Sequence, residues 1–223
     1  LEQQIHGQYP EAHIEEEVDY NIFDATSVVV GSYLAFQKEY IYPIKTYKKI
    51  DGDPLNAILN TFNKFQPGEG AAIQFIVRSA PKRWRTWATK SVANVHKGKK
   101  LKEGIAMARP GLMSGFRNMF RSSSKPKPDK NGFTPEPHKL SSMEEEAVKG
   151  IEEKASKAGL DVNIRVVVSA ANSNVAQLRL NDINNAFSQF NIYQFGNSFK
   201  ARKDGSLNSF VESFIHRDFN PRV

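Results

Sequence analysis

Cysteine is absent from the sequence, and its histidines are few and scattered. The lack of cysteine excludes disulfides, cysteine-ligated zinc and iron–sulfur clusters, and it favours a reducing compartment. None of the five histidines forms an HxH or HxxxH pair with another. Because such pairs are the usual way for nearby histidines to share a metal ion, the sequence predicts no metal site.

Long apolar runs and a signal sequence are also missing. No stretch of 18 apolar residues occurs, whereas a membrane-spanning helix needs about 20. The first residues are polar and lack the basic and apolar regions of a signal peptide. The chain starts without methionine and inside a helical pattern, so we expect it to be a fragment of a longer protein.

Motifs that carry catalysis do not occur either. The sequence lacks the phosphate-binding patterns GxxxxGK[ST] and GxGxxG, and it lacks the GxSxG elbow of serine hydrolases. Three consecutive glutamates, residues 144–146, offer carboxylates. They fall in the first turn of a predicted helix, where negative charge complements the helix dipole. We therefore expect no enzymatic activity and no cofactor.

The positive charge is concentrated in one segment. Residues 81–130 carry 14 lysines and arginines against Glu103 and Asp129, a net charge of +12. The rest of the chain carries 17 positive and 22 negative charges, a net charge of −5. An acidic body with one basic segment indicates an interaction with a polyanion more directly than the overall charge of +7 does.

Three interpretations of this basic segment remain open. It is a solvated linker, or it lies on an anionic membrane surface with Trp84, Trp87, Phe116 and Phe120 as interfacial anchors, or it contacts DNA phosphates. In the last two cases, deleting residues 82–127 abolishes binding and leaves the melting temperature nearly unchanged. The candidate contact residues are Lys82, Arg83, Trp84, Arg85, Trp87, Lys90, Lys97, Lys99, Lys100, Lys102, Arg117 and Arg121.

Hydropathy patterns predict the elements of the first half. Expected are a helix over 1–9, strands over 13–20, 28–36 and 70–80, an edge strand or an extended crossing segment over 40–44, and a helix from Pro54 to about residue 66. Asp51 or Asp53 caps the second helix, with Pro54 at its first position. In the last strand, the alternation places Phe75 on the buried face and Gln74 and Arg78 outside.

The second half has clearer signals. Ser142 and Glu145 form a capping box, and Gly159 is the left-handed residue after that helix. Ser173 and Ser206 are expected to cap the two later helices. Further predictions are strands over 162–169 and near 195–201, an outward Arg165, solvent-facing Lys149, Lys154 and Lys157, and a flexible linker over 122–136.

These elements predict an α+β fold of two ferredoxin-like units. A ferredoxin-like unit has the order β-α-β-β-α-β, and the first unit lacks its initial strand, which would precede Leu1. We expect units over 1–80 and 141–223. The basic, partly flexible insert over 81–140 joins them.

Six short segments, in this order and spacing, resemble one protein family. They are residues 19–23 (DYNIF), 42–47 (YPIKTY), 68–74 (GEGAAIQ), 149–155 (KGIEEKA), 186–191 (AFSQFN) and 199–200 (FK). Together they resemble the N-terminal, non-motor region of conjugative DNA-transfer ATPases, the coupling-protein-like ATPases of type IV secretion, from candidate-phylum bacteria. The resemblance covers most of the chain outside the linker.

The resemblance implies a non-catalytic accessory or assembly domain on the cytoplasmic face of the cell membrane. In that family the region lies between membrane-spanning segments and an FtsK/HerA-type motor, which holds the nucleotide-binding residues. The implied partners are the chain's own downstream motor, neighbouring subunits of a homo-oligomer, DNA, and an anionic membrane surface. The alternative is a stand-alone nucleic-acid-binding protein built on ferredoxin-like sheets.

Overall fold

The computed structural model of the chain describes residues 2–15, 21–23, 26–111 and 138–223. The helices of these residues are α1 (Glu2–Gln8), α2 (Pro54–Phe62), α3 (Arg83–His96), α4 (Leu101–Ala108), α5 (Ser142–Ser156), α6 (Ser173–Ala186) and α7 (Leu207–Ile215). The strands are β1 (Val28–Phe36), β2 (Gly70–Ser79), β3 (Leu160–Ala170) and β4 (Phe199–Arg202). Short 3₁₀ turns cover Tyr47–Lys49 and Phe187–Phe190.

The four strands form one antiparallel sheet in the order β2-β3-β1-β4. Val30 of β1 lies opposite Val168 of β3, and Phe75 of β2 lies opposite Ile164 of β3. The α+β class is therefore confirmed. The two separate ferredoxin-like units are not found in the described residues, because strands from both halves of the chain alternate in a single sheet.

The connections explain why each half of the sequence shows part of the ferredoxin-like pattern. The path β1-α2-β2 followed by β3-α6-β4 is one β-α-β-β-α-β unit. Its first strand is β1, so no strand preceding Leu1 is needed to complete the order. The expected units over 1–80 and 141–223 each supply only half of this sheet. Helices α3, α4 and α5 lie between β2 and β3 in the sequence.

One face of the sheet carries an extensive apolar core. Val166 and Val168 of β3 are fully buried there, together with Leu180 and Ile183 of α6. Ile58 of α2 belongs to the same cluster. Alternation along β3 places every second side chain on this face, and each fully buried aliphatic side chain contributes about 1.5–3 kcal/mol. We call this surface the first face.

The opposite, second face is covered by α7 and the C-terminal residues. Its core comprises Tyr33, Val167 and Phe210, with the rings of Tyr33 and Phe210 edge to face at a centroid distance of 5.1 Å. Gly31 of β1 lies under Phe210. A single-face strand pattern did not indicate that both faces of β3 are covered.

Helices α3, α4 and α5 pack together, and we call residues 81–111 and 138–159 the helical insert. Its core contains side chains from all three helices and from the segment after β1: Ile41, Tyr42, Trp84, Trp87, Val92, Val95, Leu101, Ile105, Val148 and Ile151. Of the two alternatives for residues 40–44, the edge strand is wrong, since these residues are turns, a bend and coil. Ile41 and Tyr42 fill this core instead.

Several element boundaries differ from the prediction. The capping box of α5 is formed by Ser141 and Glu144, one residue earlier than expected, and Asn172 rather than Ser173 caps α6. His138, six residues earlier in the chain, also bonds Glu144, and this contact favours the observed register. The caps Asp53 and Ser206 are confirmed.

Other differences concern the predicted segments themselves. Helix α2 ends at Phe62, earlier than expected. Residues 13–15 are not a strand, while residues 16–20 and the predicted linker over 122–136 lie outside the described residues. Gly159 has no left-handed backbone. It is required for another reason, because a Cβ there would lie 2.2 Å from Nε1 of Trp84.

An ion pair ties α6 to the turn before β2. Nε of Arg179 donates to Glu69 at 2.9 Å, and both side chains are largely buried. This hydrogen bond from Arg179 is the main reason that the pKa of Glu69 lies below its ordinary value. The ionised form of Glu69 is thus favoured in the folded state, which stabilises the fold above the pKa of the unfolded chain.

We expect Glu69→Gln to lower the free energy of unfolding by about 1–3 kcal/mol at pH 7, since a hydrogen bond to a charged group is lost. The difference from the parent should shrink as the pH falls below about 4.3, the ordinary pKa of glutamate. Urea unfolding at pH 7 and pH 3.5 measures both effects. Glu145→Gln, at an exposed site of α5, is the control. An equal effect of both variants at each pH would contradict the prediction.

Candidate functional site: a basic helical face and an apolar groove

The helical insert presents an exposed set of cations. Residues 81–111 contain nine lysines and arginines against the single acidic residue Glu103, a net charge of +8. Arg83 and Lys90 of α3, and Lys97 directly after its last residue, follow one another at intervals of seven residues, and all three are exposed. Seven residues are nearly two helical turns, so these cations form a stripe with members about 10 Å apart. We call this stripe the basic face.

Little of this charge is neutralised within the described part of the chain. Lys99 approaches Glu103 at 3.4 Å and Arg109 approaches Glu39 at 3.7 Å, while Arg85 donates to the carbonyl of Lys157. Among the described residues, no carboxylate forms an ion pair with the three members of the basic face. Their charge is therefore available to a partner.

The two tryptophans among the predicted contact residues are not at the surface. Trp84 is 9% exposed and Trp87 is 3% exposed. Trp87 donates its indole N–H to the carbonyl of Ile105 at 3.0 Å, and Tyr40 packs edge-on against its ring. Their expected role as membrane anchors or direct contacts is wrong, because the apolar stripe of α3 packs inside the helical insert.

The lysines and arginines among the predicted contact residues, where the structure describes them, are at the surface. The exposed ones are Lys82, Arg83, Arg85, Lys90, Lys97, Lys99, Lys100 and Lys102. Arg117 and Arg121, like the proposed anchors Phe116 and Phe120, lie outside the described residues. These exposed cations are thus available to solvent, whereas the apolar side of α3 has its partner within the chain.

Two side chains on the sheet have the opposite exposure to the one predicted. Phe75 was expected to be buried and is 53% exposed, because the helices on the first face do not extend over the end of β2. Arg165 was expected outside and is fully buried under α7. Its guanidinium donates to Gln74 at 2.8 Å and to the carbonyl of Asp218, and it lies over the ring of Tyr33.

The uncovered part of the first face forms one wall of a groove, and α5 forms the other. The groove has a volume of about 1160 Å³. The sheet contributes mainly apolar side chains, among them Phe36, Phe75, Val77, Leu160, Val162 and Phe199. Val77 and Val162 are opposite each other in the register of β2 and β3, so this wall is continuous across two strands. We call this feature the apolar groove.

Lys154 of α5 lines the apolar groove. Its ammonium group donates to the carbonyl of Tyr40 and lies 5.6 Å from the ring centroid of Phe36. Burial lowers the pKa of Lys154 to about 8, since removal from water disfavours the charged form. Two other lysines of the groove are paired, Lys49 with Glu146 and Lys157 with Glu153.

The sequence prediction placed Lys154 in solvent, which is wrong. Ala147, Gly150 and Lys154 follow one another at helical spacing, and all three line the groove. That spacing was the available signal. It could not be used without knowing that this side of α5 lies over the end of the sheet.

A Ser-His-Glu cluster near the start of α5 has a structural role. Ser141 and His138 both bond to Oε2 of Glu144, at 3.1 and 3.2 Å. The backbone N–H of Ser141 is the main reason that the pKa of Glu144 is lowered. The histidine does not lie between the hydroxyl and the carboxylate, so it is not placed to activate the serine. The cluster caps the helix.

The described ranges contain neither a metal-binding cluster nor a membrane-spanning helix. No group of three or more histidine, aspartate and glutamate side chains there is arranged to hold a metal ion. No helix of residues 2–15, 21–23, 26–111 and 138–223 combines the length and apolar character that crossing a membrane requires.

Comparison with known proteins yields one family. No curated protein and no solved structure matches the chain. The model of the family described as "Domain of unknown function (DUF8128)" matches residues 1–222. The match covers the sheet, its helices and the helical insert together, and the chain therefore belongs to the DUF8128 family.

Proposed function

We propose that this chain is a non-catalytic domain that contacts DNA through the basic face of its helical insert. The observation that carries the proposal is the stripe of Arg83, Lys90 and Lys97, exposed on one side of a helix whose other side is packed. A rigid helix holds these charges at fixed spacing, which lowers the entropy that phosphate binding costs compared with a flexible tail. Neutralising phosphates supplies affinity without a need for base-specific contacts.

The buried tryptophans favour DNA over a membrane surface. An interfacial helix inserts its apolar side into the lipid headgroup region. The apolar side of α3 is already occupied by α4 and α5, with Trp87 hydrogen-bonded inside. What α3 offers to a partner is charge, and polyanion binding needs no aromatic insertion.

The sequence resemblance supports a place for this domain in DNA transfer. We propose that it is an accessory or assembly domain of a membrane-anchored, DNA-translocating ATPase of the type IV secretion kind, at the cytoplasmic face of the membrane. Its partners would then be its own downstream motor and neighbouring subunits, and the basic face would touch the transported DNA. A stand-alone nucleic-acid-binding protein would use the same face.

The test replaces the three cations of the basic face together, as Arg83→Gln, Lys90→Gln and Lys97→Gln. At about 0.1 M salt, we expect the affinity for a 30-base-pair duplex to fall at least about tenfold. The plot of log K against log salt concentration has a negative slope. Its magnitude should decrease by about 2.7, since each of the three lost phosphate contacts contributes about 0.9. Fluorescence anisotropy over a salt series measures both quantities.

The matched control removes the same charge from exposed residues outside the helical insert. Lys200→Gln, Arg202→Gln and Lys203→Gln change exposed residues at and beside β4, and the duplex affinity should change less than threefold. Equal losses in both triple variants would mean that only net charge matters. Binding to vesicles of anionic lipid without binding to the duplex would favour the membrane alternative and overturn the proposal.

A further inference from the structure

The apolar groove has no part in the proposed DNA contact. Phe75 and Val77 are each about half exposed, and Leu160 and Val162 beside them are exposed as well. Single exposed apolar residues are common on protein surfaces, but a contiguous patch marks a binding surface. The volume of about 1160 Å³ is somewhat larger than the range of about 300–1,000 Å³ that is usual for small-molecule sites.

The lysines that line the groove differ in whether they have a carboxylate partner. Lys49 and Lys157 each have a carboxylate partner, in Glu146 and Glu153. In the described part of the chain, Lys154 has none, only the carbonyl of Tyr40 and the ring of Phe36. A partly desolvated cation without an anion is unfavourable, and an anion placed beside it would recover that free energy.

The form of the sheet wall restricts the rest of the ligand. Phe75 and Val77 on β2, and Leu160 and Val162 on β3, alternate at a spacing of about 7 Å along two neighbouring strands. The result is an elongated apolar strip. These side chains offer no hydrogen-bonding partner, so an extended peptide would leave its buried N–H and C=O groups unsatisfied there. A hydrocarbon chain has no such groups.

We propose that the apolar groove binds a single-chain amphipathic carboxylate. Its hydrocarbon chain lies along the strip formed by Phe75, Val77, Leu160 and Val162, and its carboxylate pairs with the ammonium group of Lys154. The ligand is bound without a chemical step. This site is independent of the basic face, since the two surfaces use different residues.

Calorimetric titration of the full chain with dodecanoate and with dodecanol, both below their aggregation limits, tests the proposal. The two probes share the hydrocarbon chain and differ in charge. We expect the parent to bind dodecanoate at least about tenfold more tightly than dodecanol, the effect of one charge-assisted hydrogen bond. Lys154→Met should remove this preference and leave dodecanol binding unchanged, while Phe75→Glu should abolish the binding of both probes.

The pH dependence provides a second readout. Dodecanoate affinity should fall as the pH rises through the pKa of Lys154, at or above about 8, because the neutral amine no longer attracts the carboxylate. Lys154→Arg should remove this fall, since arginine stays charged to above pH 12. Other groups of the groove are common to both proteins: Lys45, Lys49 and Lys157, together with Glu146 and Glu153, whose pKa values are lowered by their lysine partners.

The phenol of Tyr40 does not complicate this window, because burial raises its pKa above the ordinary value for tyrosine. Equal affinity of the parent for dodecanoate and dodecanol would overturn the proposal, as would unchanged dodecanoate binding by Lys154→Met. If neither dodecanoate nor dodecanol bound to the parent protein, the proposal would also be overturned. The comparison of two probes on the parent protein decides the matter even if a variant fails to fold.

Discussion

Replacing Trp87 with alanine is expected to lower the free energy of unfolding by about 3–5 kcal/mol. Trp87 is 3% exposed, its indole N–H donates to the carbonyl of Ile105, and Tyr40 packs edge-on against its ring at a centroid distance of 5.2 Å. The variant loses this packing and leaves the Ile105 carbonyl without its donor. Denaturant unfolding followed by circular dichroism measures the change.

A neighbouring residue on the other side of α3 gives the control. Thr86 is exposed, and Thr86→Ala should change the free energy of unfolding by no more than about 0.5 kcal/mol. If Trp87→Ala unfolded at the same denaturant midpoint as the parent, the helical insert would not be a packed core.

The same packing reverses an expectation from the sequence. Deleting residues 82–127 was expected to leave the melting temperature nearly unchanged, as for a linker. The deletion removes α3 and α4, against which Val148 and Ile151 of α5 are buried. We now expect a lower melting temperature.

Replacing Gly31 with alanine is expected to destabilise the protein by about 3 kcal/mol, at the upper end of the usual range for overpacking. A Cβ at Gly31 would lie 2.1 Å from one ring carbon of Phe210 and within 3 Å of two others. Phe210 cannot move aside freely, because it is buried against Tyr33 and Val167. Helix α7 would have to shift away from the second face. Thermal unfolding measures the loss, at about 2–4 °C per kcal/mol for a chain of this size.

Gly7→Ala is the matched control for this substitution. Gly7 lies in α1, and a Cβ there would meet no atom within 4 Å. Alanine is the better helix former by about 1 kcal/mol, so this variant should be neutral or slightly stabilised. If Gly31→Ala behaved like Gly7→Ala, the close packing of α7 on β1 would be refuted.

Local patterns were reliable wherever a residue's neighbours in sequence decide its conformation. Strand β1 has the predicted bounds, 28–36. Asp53 and Ser206 cap α2 and α7 as expected, because a cap bonds to an N–H only two or three residues away. Where two adjacent residues were equally suitable, as Ser141 and Ser142 were, the choice depended on the contact between Glu144 and His138.

Long-range pairing was not predictable from such patterns. The partners of β1 are β3 and β4, both more than a hundred residues later in the chain. Alternation along a strand shows which side chains share a face, but it carries no information on which strand lies alongside. The sequence was therefore divided into two sheets where the chain forms one.

The basic segment shows most clearly how the sequence and the tertiary structure divide the information. Helical spacing in the sequence alone places Trp84 and Trp87 on one apolar stripe flanked by Arg83 and Lys90, because helical periodicity is a local property. Only the tertiary structure decided that α4 and α5 cover the apolar side. It likewise buried Arg165 and brought Lys154 over the end of the sheet. The reason is physical: a residue's exposure depends on what packs against it, and those groups come from distant parts of the chain.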